Sequence, residues 1–498
     1  MIFDHLVQGF GVAFQLANLF ACFVGVLVGT LIGVLPGIGP AAAIAMLLPI
    51  TFKIDPVTGM IMLAGIYYGA MYGGSTTSIL VNIPGEAASV VTCLDGHQMA
   101  RKGRAGPALG ISAFGSFIAG TISIVGLMLV ASPLAHMAVR FGPPEYFSLV
   151  CLGLITLIQL TGRSVRKGVM MGLFGLLLSF VGLDTVTGVP RFNFGMLEFM
   201  NGIESIPMVM GLFGISEVLL NIEAGGTGAT ILKTKIKGLF PGLEDWKQSI
   251  GAISRGSVLG FLLGVLPGGG TILASFISYA TEKKISKHPE KFGTGTIEGV
   301  AGPEAANNAA VGGSFIPLTV LGIPTNVVIA ILMGALVMHG IRPGPNFIQK
   351  YPDMFWGFVA SMYLGNAMLL VLNLPLIPLW VQVLRVPYRI LFPLILLFVV
   401  IGSYSVNLSR FDLALMLIFG VMGYLLRKFD YELAPLILAF ILGPMLEEAF
   451  RQSLIMSEGS FSIFVARPAS LIFLLLALML LLSSLIPAIR KKYAMLKE

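Results

Sequence analysis

The sequence predicts an all-α polytopic membrane protein of about 11 transmembrane helices and two re-entrant hairpins, built as an inverted-topology internal repeat with discontinuous helices. Three observations predict it. The 498 residues are 56% hydrophobic and only 11% charged, with a mean hydropathy of +0.92, where a soluble domain carries about 25% charge. Apolar runs of about 20 residues recur along the chain, the length that crosses a hydrocarbon core. A glycine-striped, proline-broken segment is written twice. A membrane barrel would instead need short alternating segments.

The first copy is "GVLVGTLIGVLPGIGP", Gly25 to Pro40, with glycines at 25, 29, 33 and 37 and a break at Pro36. The second is "GSVLGFLLGVLPGGGT", Gly256 to Thr271, with glycines at 256, 260, 264 and 268 and a break at Pro267. All five features share one offset of 231 residues (267 − 36). Downstream, "YGAMYGGS" (Tyr68–Ser75) lines up with "NNAAVGGS" (Asn307–Ser314), "NIPG" (Asn82–Gly85) with "GIPT" (Gly322–Thr325), and "RAGP" (Arg104–Pro107) with "RPGP" (Arg342–Pro345). An ordered series of this kind divides the chain into a first repeat at 1–222, a cytoplasmic linker at 223–255 and a second repeat at 256–498.

Each repeat then reads in the same order. In the first, a hairpin tip at 36–40 is followed by a short return to Phe52 and by an interrupted helix at 56–84. Spans follow at 107–133, 145–160, 168–186 and 202–222. In the second, a tip at 267–271 and a return at Ile272–Thr281 precede an interrupted segment at 299–340. Spans then fall at 354–372, 390–407, 411–426, 431–449 and 470–489.

Charge sets the orientation. The second stripe lies between lysine-bearing loops, with Lys233, Lys235, Lys237, Lys247 and Arg255 before it and Lys283, Lys284, Lys287 and Lys291 after it. Both flanks are cytoplasmic by the positive-inside rule. The arm Gly256–Leu266 is about 11 residues, roughly 17 Å of helix, or half a membrane. It therefore reads as a re-entrant hairpin entering from the cytoplasm. Counting from the basic loop at Arg101, Lys102 and Arg104 puts the first hairpin on the opposite side. Gly9–Leu35 is also long enough to span, which leaves the N-terminal side open. The basic C-terminal run Arg490–Lys492 falls in the cytoplasm, and the net charge of +7 is a topology signal rather than a nucleic-acid footprint. The N-terminal MIFDHLVQGF has no basic start or small-residue cleavage site of a secretory signal.

Inverted repeats with broken helices mark secondary transporters, with a site near the bilayer midplane and elevator-like movement around it. The early glycines, Gly25, Gly29, Gly256 and Gly260, read as close-packing positions. The tips do not continue a helix, so Pro36, Gly37, Gly39, Pro40, Pro267, Gly268, Gly269, Gly270 and Thr271 are candidates to line the site. So are Gly74, Ser75, Thr76 and Thr77 in "GGSTTS", and Asn307, Asn308, Gly313 and Ser314 in "NNAAVGGS". Here unwound backbone would open helix N-termini to an anion. The alternative is that the hydroxyls bond back to their own helices. Oxygen-rich positions at Gly37, Gly73, Ser78, Asn82, Gly268, Gly312 and Thr325 are candidates for a coupling cation, Na⁺ or H⁺, rather than a transition metal.

Two acids lie near these elements, Glu86 and Glu304. Each relays protons or balances a cation, as intramembrane carboxylates do, or lies at an interface. His97, His136, His288 and His339 have no ligand spacing, and the three cysteines (Cys22, Cys93, Cys151) are scattered. No P-loop, HExxH or GxSxG motif occurs, so neither ATP drive nor embedded hydrolysis is expected, and no cofactor. The readings that compete are a uniporter or channel for another small anion, a lipid-acting membrane enzyme, and a membrane scaffold subunit.

At "GVLPGIGP", "YGAMYGGSTTSILVNIPGE", "DGHQMARKGRAGPALG", "GPEAANNAAVGGSFIPLTVLGIPT" and the second "GVLPGGG" the chain resembles the large membrane subunit (TctA type) of the tripartite tricarboxylate transporters. The resemblance covers nearly the whole chain. It implies ion-driven uptake of a small organic carboxylate across the bacterial inner membrane. It also implies a small membrane subunit and a periplasmic substrate-binding protein as partners. The family's glycine-rich repeats imply a site-lining role for Pro36–Pro40, Gly73–Ser78, Pro267–Thr271 and Asn307–Ser314. Thr325 stands where the family pattern has glycine, and Thr271 where the first copy has Pro40.

Overall fold

The computed structural model describes residues 2–35, 39–161, 164–184, 187–223, 238–268, 270–384 and 388–495. The linker lysines Lys233, Lys235 and Lys237, and the tip residues Pro36, Gly37 and Gly269, lie outside the described residues. Those described form 22 α-helices and a single two-stranded ribbon.

The first half begins with α1 (Ile2–Ala13) and α2 (Leu16–Val34), parted at Gln15, whose extended backbone caps α2. Next come α3 (Pro40–Thr51) and α4 (Pro56–Val81). Both open on a proline, which loses nothing at a position whose N–H has no helical partner. Asp55 caps α4 by accepting from Val57 N at 2.9 Å. Then follow α5 (Val90–Arg101), α6 (Ala105–Ala138), α7 (Pro143–Thr161) and α8 (Val165–Ser179). The ribbon pairs Gly182–Leu183 with Pro190–Arg191. A last apolar helix closes the half as α9 (Ser205–Val209), a π-helical turn (Met210–Ile215) and α10 (Ser216–Glu223).

The second half runs through α11 (Leu243–Val265), α12 (Gly270–Ile285), α13 (Glu298–Leu321), α14 (Val327–Met338), α15 (Phe347–Lys350) and α16 (Pro352–Leu372). It continues with α17 (Ile377–Val383), α18 (Tyr388–Asn407), α19 (Arg410–Lys428), α20 (Leu433–Met456), α21 (Ile463–Ala466) and α22 (Pro468–Met495). Among the described residues, five helical stretches are long and apolar enough to cross a membrane: Leu16–Val34, Ala105–Ala138, Ser205–Glu223, Pro352–Leu372 and Leu433–Met456. Shorter apolar helices include Pro40–Thr51, Val327–Met338, Phe392–Ser405 and Pro468–Ser483. The protein is a multi-pass helical membrane protein.

The glycine stripes fix how its central helices touch. A Cβ on Gly25, Gly29 or Gly33 would lie closer than 3.0 Å to the carbonyl oxygens of Met62, Ile66 and Ala70. A Cβ on Gly256, Gly260 or Gly264 would do the same to Gly302, Ala306 and Ala310. So α2 lies backbone to backbone on α4, and α11 on α13, in one register. The partner helices return the contact: Gly73 meets Thr30 O and Gly313 meets Phe261 O. Small residues here let dispersion act between backbones, which is how helices associate without a hydrophobic drive. The packing equates Gly73 with Gly313, an offset of 240 residues (313 − 73), one more than the text alignment of "GGS" with "GGS".

Three sequence expectations are corrected. First, neither "GGSTTS" nor "NNAAVGGS" unwinds: α4 runs unbroken through 73–78, and α13 through 307–314. The cost of glycine in a helix, about 1 kcal/mol each, is offset there by close packing. The breaks come later, at 82–86, about one turn past Ser78, and at 322–326, about two turns past Ser314. Second, α11 starts at Leu243, so its arm is 23 residues rather than 11. At 1.5 Å per residue it is about 34 Å long. Its polar first turns carry Glu244 and Asp245, which favour a helix N-terminus. Third, the span expected at 168–186 ends at Ser179, and the chain turns into the ribbon.

The outer helices exchange partners between halves. Gly175 of α8 packs on Leu436 O of α20, and Gly211 of the π turn packs on Met416 O of α19. Salt links reinforce the first exchange: Arg191 pairs with Glu447 at 2.8 Å, and Arg451 with Asp184 at 2.8 Å.

Candidate functional site

The two helix breaks are built alike. α4 stops because Asn82 adopts the left-handed conformation (φ 61°) and Pro84 has no N–H to give. α13 stops at Gly322, also left-handed (φ 68°), ahead of Pro324. After each break a side chain caps the next helical turn. Glu86 Oε2 accepts from Ala88 N at 2.5 Å, and Asn326 Oδ1 accepts from Ile329 N at 3.1 Å. Asn82 and Gly322, and Glu86 and Asn326, are each 240 residues apart, the offset set by the glycine packing.

Each cap then reaches across to the helix of the other half. Asn307 Nδ2 donates to Glu86 Oε1 at 3.3 Å. Asn326 Nδ2 donates to the Tyr67 hydroxyl at 3.2 Å. Tyr67 and Asn307 are again 240 residues apart. The two contacts are one contact made twice, with the halves exchanged.

Around this pair lies a polar core that no lipid reaches. Ser75 Oγ donates to Glu304 Oε2 at 2.5 Å, and the Thr92 hydroxyl donates to Glu304 Oε1. Asn308 Nδ2 donates to Ser116 Oγ at 2.8 Å, and Ser78 Oγ bonds Ser89 Oγ at 2.9 Å. Thr77 Oγ1 donates to Val34 O at 2.6 Å, tying α4 to the arm before the first tip. Ser314 alone of the singled-out hydroxyls bonds back to its own helix, at Val311 O, 2.6 Å away. Glu304 is 1% exposed and Glu86 7%, and both lie where the two halves touch.

The second tip is seated on the second break. Gly268 N donates to Thr325 O at 2.8 Å, and Gly268 has φ +77°. A Cβ there would lie 2.7 Å from Leu157 Cα, so both the turn and the approach to α7 call for glycine. Pro267 lies against Gly153 of the same helix, and Thr271 is buried. Of the first tip, Gly39 is extended and precedes Pro40 at the start of α3, with no side-chain cap on that N-terminus.

The structure thus joins Ser75 with Glu304, Asn307 with Glu86, Ser78 with Ser89, and Gly268 with Thr325. It places Gly73 and Gly313 in helix contacts, and Gly312 against Ser123. Asn82 is exposed. Sequence reasoning missed Tyr67, Thr92, Ser116 and Asn326, whose partners are more than 190 residues away. It also missed Asp95, which is fully buried and accepts from Gly293 N, Gly295 N, Thr296 N and the Tyr279 hydroxyl. A charged residue inside the apolar face of "VVTCLDGHQM" is the one local signal of it.

A cavity of about 330 Å³ reaches the end of α13 at Leu321, between Tyr146, Pro343 and Ala449. A cavity of about 520 Å³ is lined by Ser179, Arg191, Glu204, Ser205, Gly334 and Glu447. Between Tyr72, Asn308, Gly312 and Asn366 the void is about 20 Å³.

The chain is 51% identical over 491 residues to an uncharacterized 52.8 kDa protein in the TAR-I ttuC' 3' region of Agrobacterium vitis, covering 99% of this chain and 98% of that one. It is 52% identical over 233 residues to an uncharacterized protein in the TAR-II ttuC' 3' region of the same organism, covering 47% of this chain and 96% of that one. No solved structure matches it significantly. The profile of the tripartite tricarboxylate transporter TctA family matches residues 19–438, and the chain belongs to that family of transporter components.

Proposed function

We propose that the protein is a secondary active transporter that imports a small di- or tricarboxylate across the bacterial inner membrane, coupled to Na⁺ or H⁺. It acts as the large membrane subunit of a three-part system, with a small membrane subunit and a periplasmic protein that delivers substrate. The observation that carries this reading is the doubled contact across the breaks, Asn307 to Glu86 and Asn326 to Tyr67. Two equivalent half-sites that bond to each other give one central site with two equivalent ways out, which alternating access requires.

The halves are taken to have opposite topology, with the C-terminus in the cytoplasm. The bundle of α2–α5 and α11–α14 then moves against the outer helices in elevator fashion. The uncapped N-terminus of α3 offers N–H groups to a carboxylate. This reading calls for Na⁺ or H⁺ as the coupling ion and for no transition metal or organic cofactor.

The test is reconstitution with the partner subunits in vesicles under an imposed Na⁺ or H⁺ gradient. Carboxylate uptake that follows either gradient supports the reading. Flux that follows voltage alone assigns a uniporter or channel, and no flux removes the transport proposal.

A further inference from the structure

The molecule treats its buried acids in two ways. Glu282 is 2% exposed and is held by Arg255, whose Nε and Nη2 donate to its two oxygens at 2.9 and 2.6 Å. Asp95 is held by three backbone N–H groups and a hydroxyl. Glu86 and Glu304 have neither a basic partner nor Asp95's four donors. Glu304 receives hydroxyls from Ser75 and Thr92; Glu86 receives the backbone N–H groups of Ala88 and Ser89 and one long amide bond from Asn307. The ion pairs formed among the described residues include neither. Buried carboxylates without a counter-charge are strongly disfavoured.

A second observation lies in the same place. Asn307 is 1% exposed. Its Nδ2 is on Glu86, but its Oδ1 has no hydrogen-bond partner. A buried amide oxygen left without a donor is costly. It stands beside one carboxylate and, three residues along α13, one helical turn from the other. An anionic substrate would be repelled by this constellation. A cation would complete it.

We propose that the Glu86 carboxylate and the Asn307 side-chain oxygen bind a sodium ion, with Glu304 as the neighbouring charge. The donor set is oxygen only, which suits a hard cation rather than a transition metal. The inference rests on the transport reading only for the ion's role: there it would be the coupling ion. It moves Asn307 from the carboxylate's ligands to the cation's. The ion would tie α13 of one half to the break of the other, so its arrival and departure would change how firmly the halves are joined.

The test uses the purified full-length protein and its thermal unfolding midpoint. NaCl is titrated against choline chloride and KCl at constant ionic strength. A ligand that binds the folded state alone raises the midpoint in a saturable way. Sodium is expected to do so, and choline and potassium not to. Glu86→Gln and Asn307→Ala should each raise the half-saturating sodium concentration by roughly tenfold or more. Asn307→Asp keeps an oxygen in place and should retain the response, which separates ligand loss from misfolding. Gln248→Ala, on the exposed face of α11, should leave it unchanged. No sodium-specific shift in the unaltered protein overturns the site, as does an equal shift in the Glu86 and Asn307 variants. A response to pH with none to sodium assigns these carboxylates to protons and also overturns it. Sodium binding without sodium-driven uptake leaves the site standing and sinks the transport reading instead.

Discussion

Ser75 Oγ donates to Glu304 Oε2 at 2.5 Å, joining α4 to α13 across 229 residues of sequence. Its acceptor is a buried carboxylate, and hydrogen bonds to charged groups are worth about 1.5–3 kcal/mol. Ser314 bonds a neutral carbonyl, a bond worth about 0.5–1.5 kcal/mol. Ser75→Ala is therefore expected to lower stability by about 1.5–3 kcal/mol and Ser314→Ala by less. Thermal unfolding of the two purified variants makes the comparison. If Ser314→Ala costs as much as Ser75→Ala, the carboxylate is not what makes the first bond matter.

The stripe glycines differ sharply from glycines that merely sit in helices. Gly29 and Gly260 face the carbonyl oxygens of Ile66 and Ala306, whereas Gly11 of α1 has nothing within 4 Å. Adding a methyl at Gly29 or Gly260 must push two backbones apart. Overpacking of this kind costs about 1–3 kcal/mol. At Gly11 the same methyl only improves helix propensity, by up to about 1 kcal/mol. Gly29→Ala and Gly260→Ala should lower the unfolding midpoint, and Gly11→Ala should hold or raise it. A neutral Gly260→Ala would show that α11 and α13 are free to separate.

Much of this architecture is legible in the sequence, because a four-residue glycine period states directly which helix face meets another backbone. The start of α11 is legible too, in Gly242 followed by Glu244 and Asp245, yet its Lys247 and Arg255 read as linker. The breaks are misread because "GGSTTS" has the composition of a loop. Propensity yields there to packing against α2, while the quieter "NIPG" and "GIPT" hold the prolines that end the helices. The acids are legible as exceptions in an apolar chain. Their partners are not: Thr92 and Ser75 meet Glu304 only once the two halves have folded together.

Asp95 holds the loop 293–296 of the other half by accepting from three of its backbone N–H groups. Asp95→Asn replaces one acceptor oxygen with a donor, which faces N–H groups it cannot pair with. Bonds to a charged acceptor are lost, at about 1.5–3 kcal/mol each. The loop lies just past Lys283, Lys284, Lys287 and Lys291. Trypsin is expected to cleave this segment severalfold faster in Asp95→Asn than in the unaltered protein. Equal rates would mean that the loop is held by other contacts.

The proposed inversion makes the most exposed prediction. Gly39, before α3, has open space around its Cα, and Pro267 is half-buried at the second tip. Native thiols must first be replaced. Cys22 is buried against Tyr68 and Ser361, and Cys93 and Cys151 are half-buried. In a cysteine-free background, Gly39→Cys and Pro267→Cys are then labelled singly with a membrane-impermeant maleimide. Right-side-out and inside-out vesicles expose opposite faces. Opposite topology places the first tip's thiol within reach from the periplasm and the second's from the cytoplasm. Labelling of both from one face would leave the shared glycine register as a packing repeat without inversion. Alternating access would then lose the geometric basis given to it here, even if carboxylate uptake were observed.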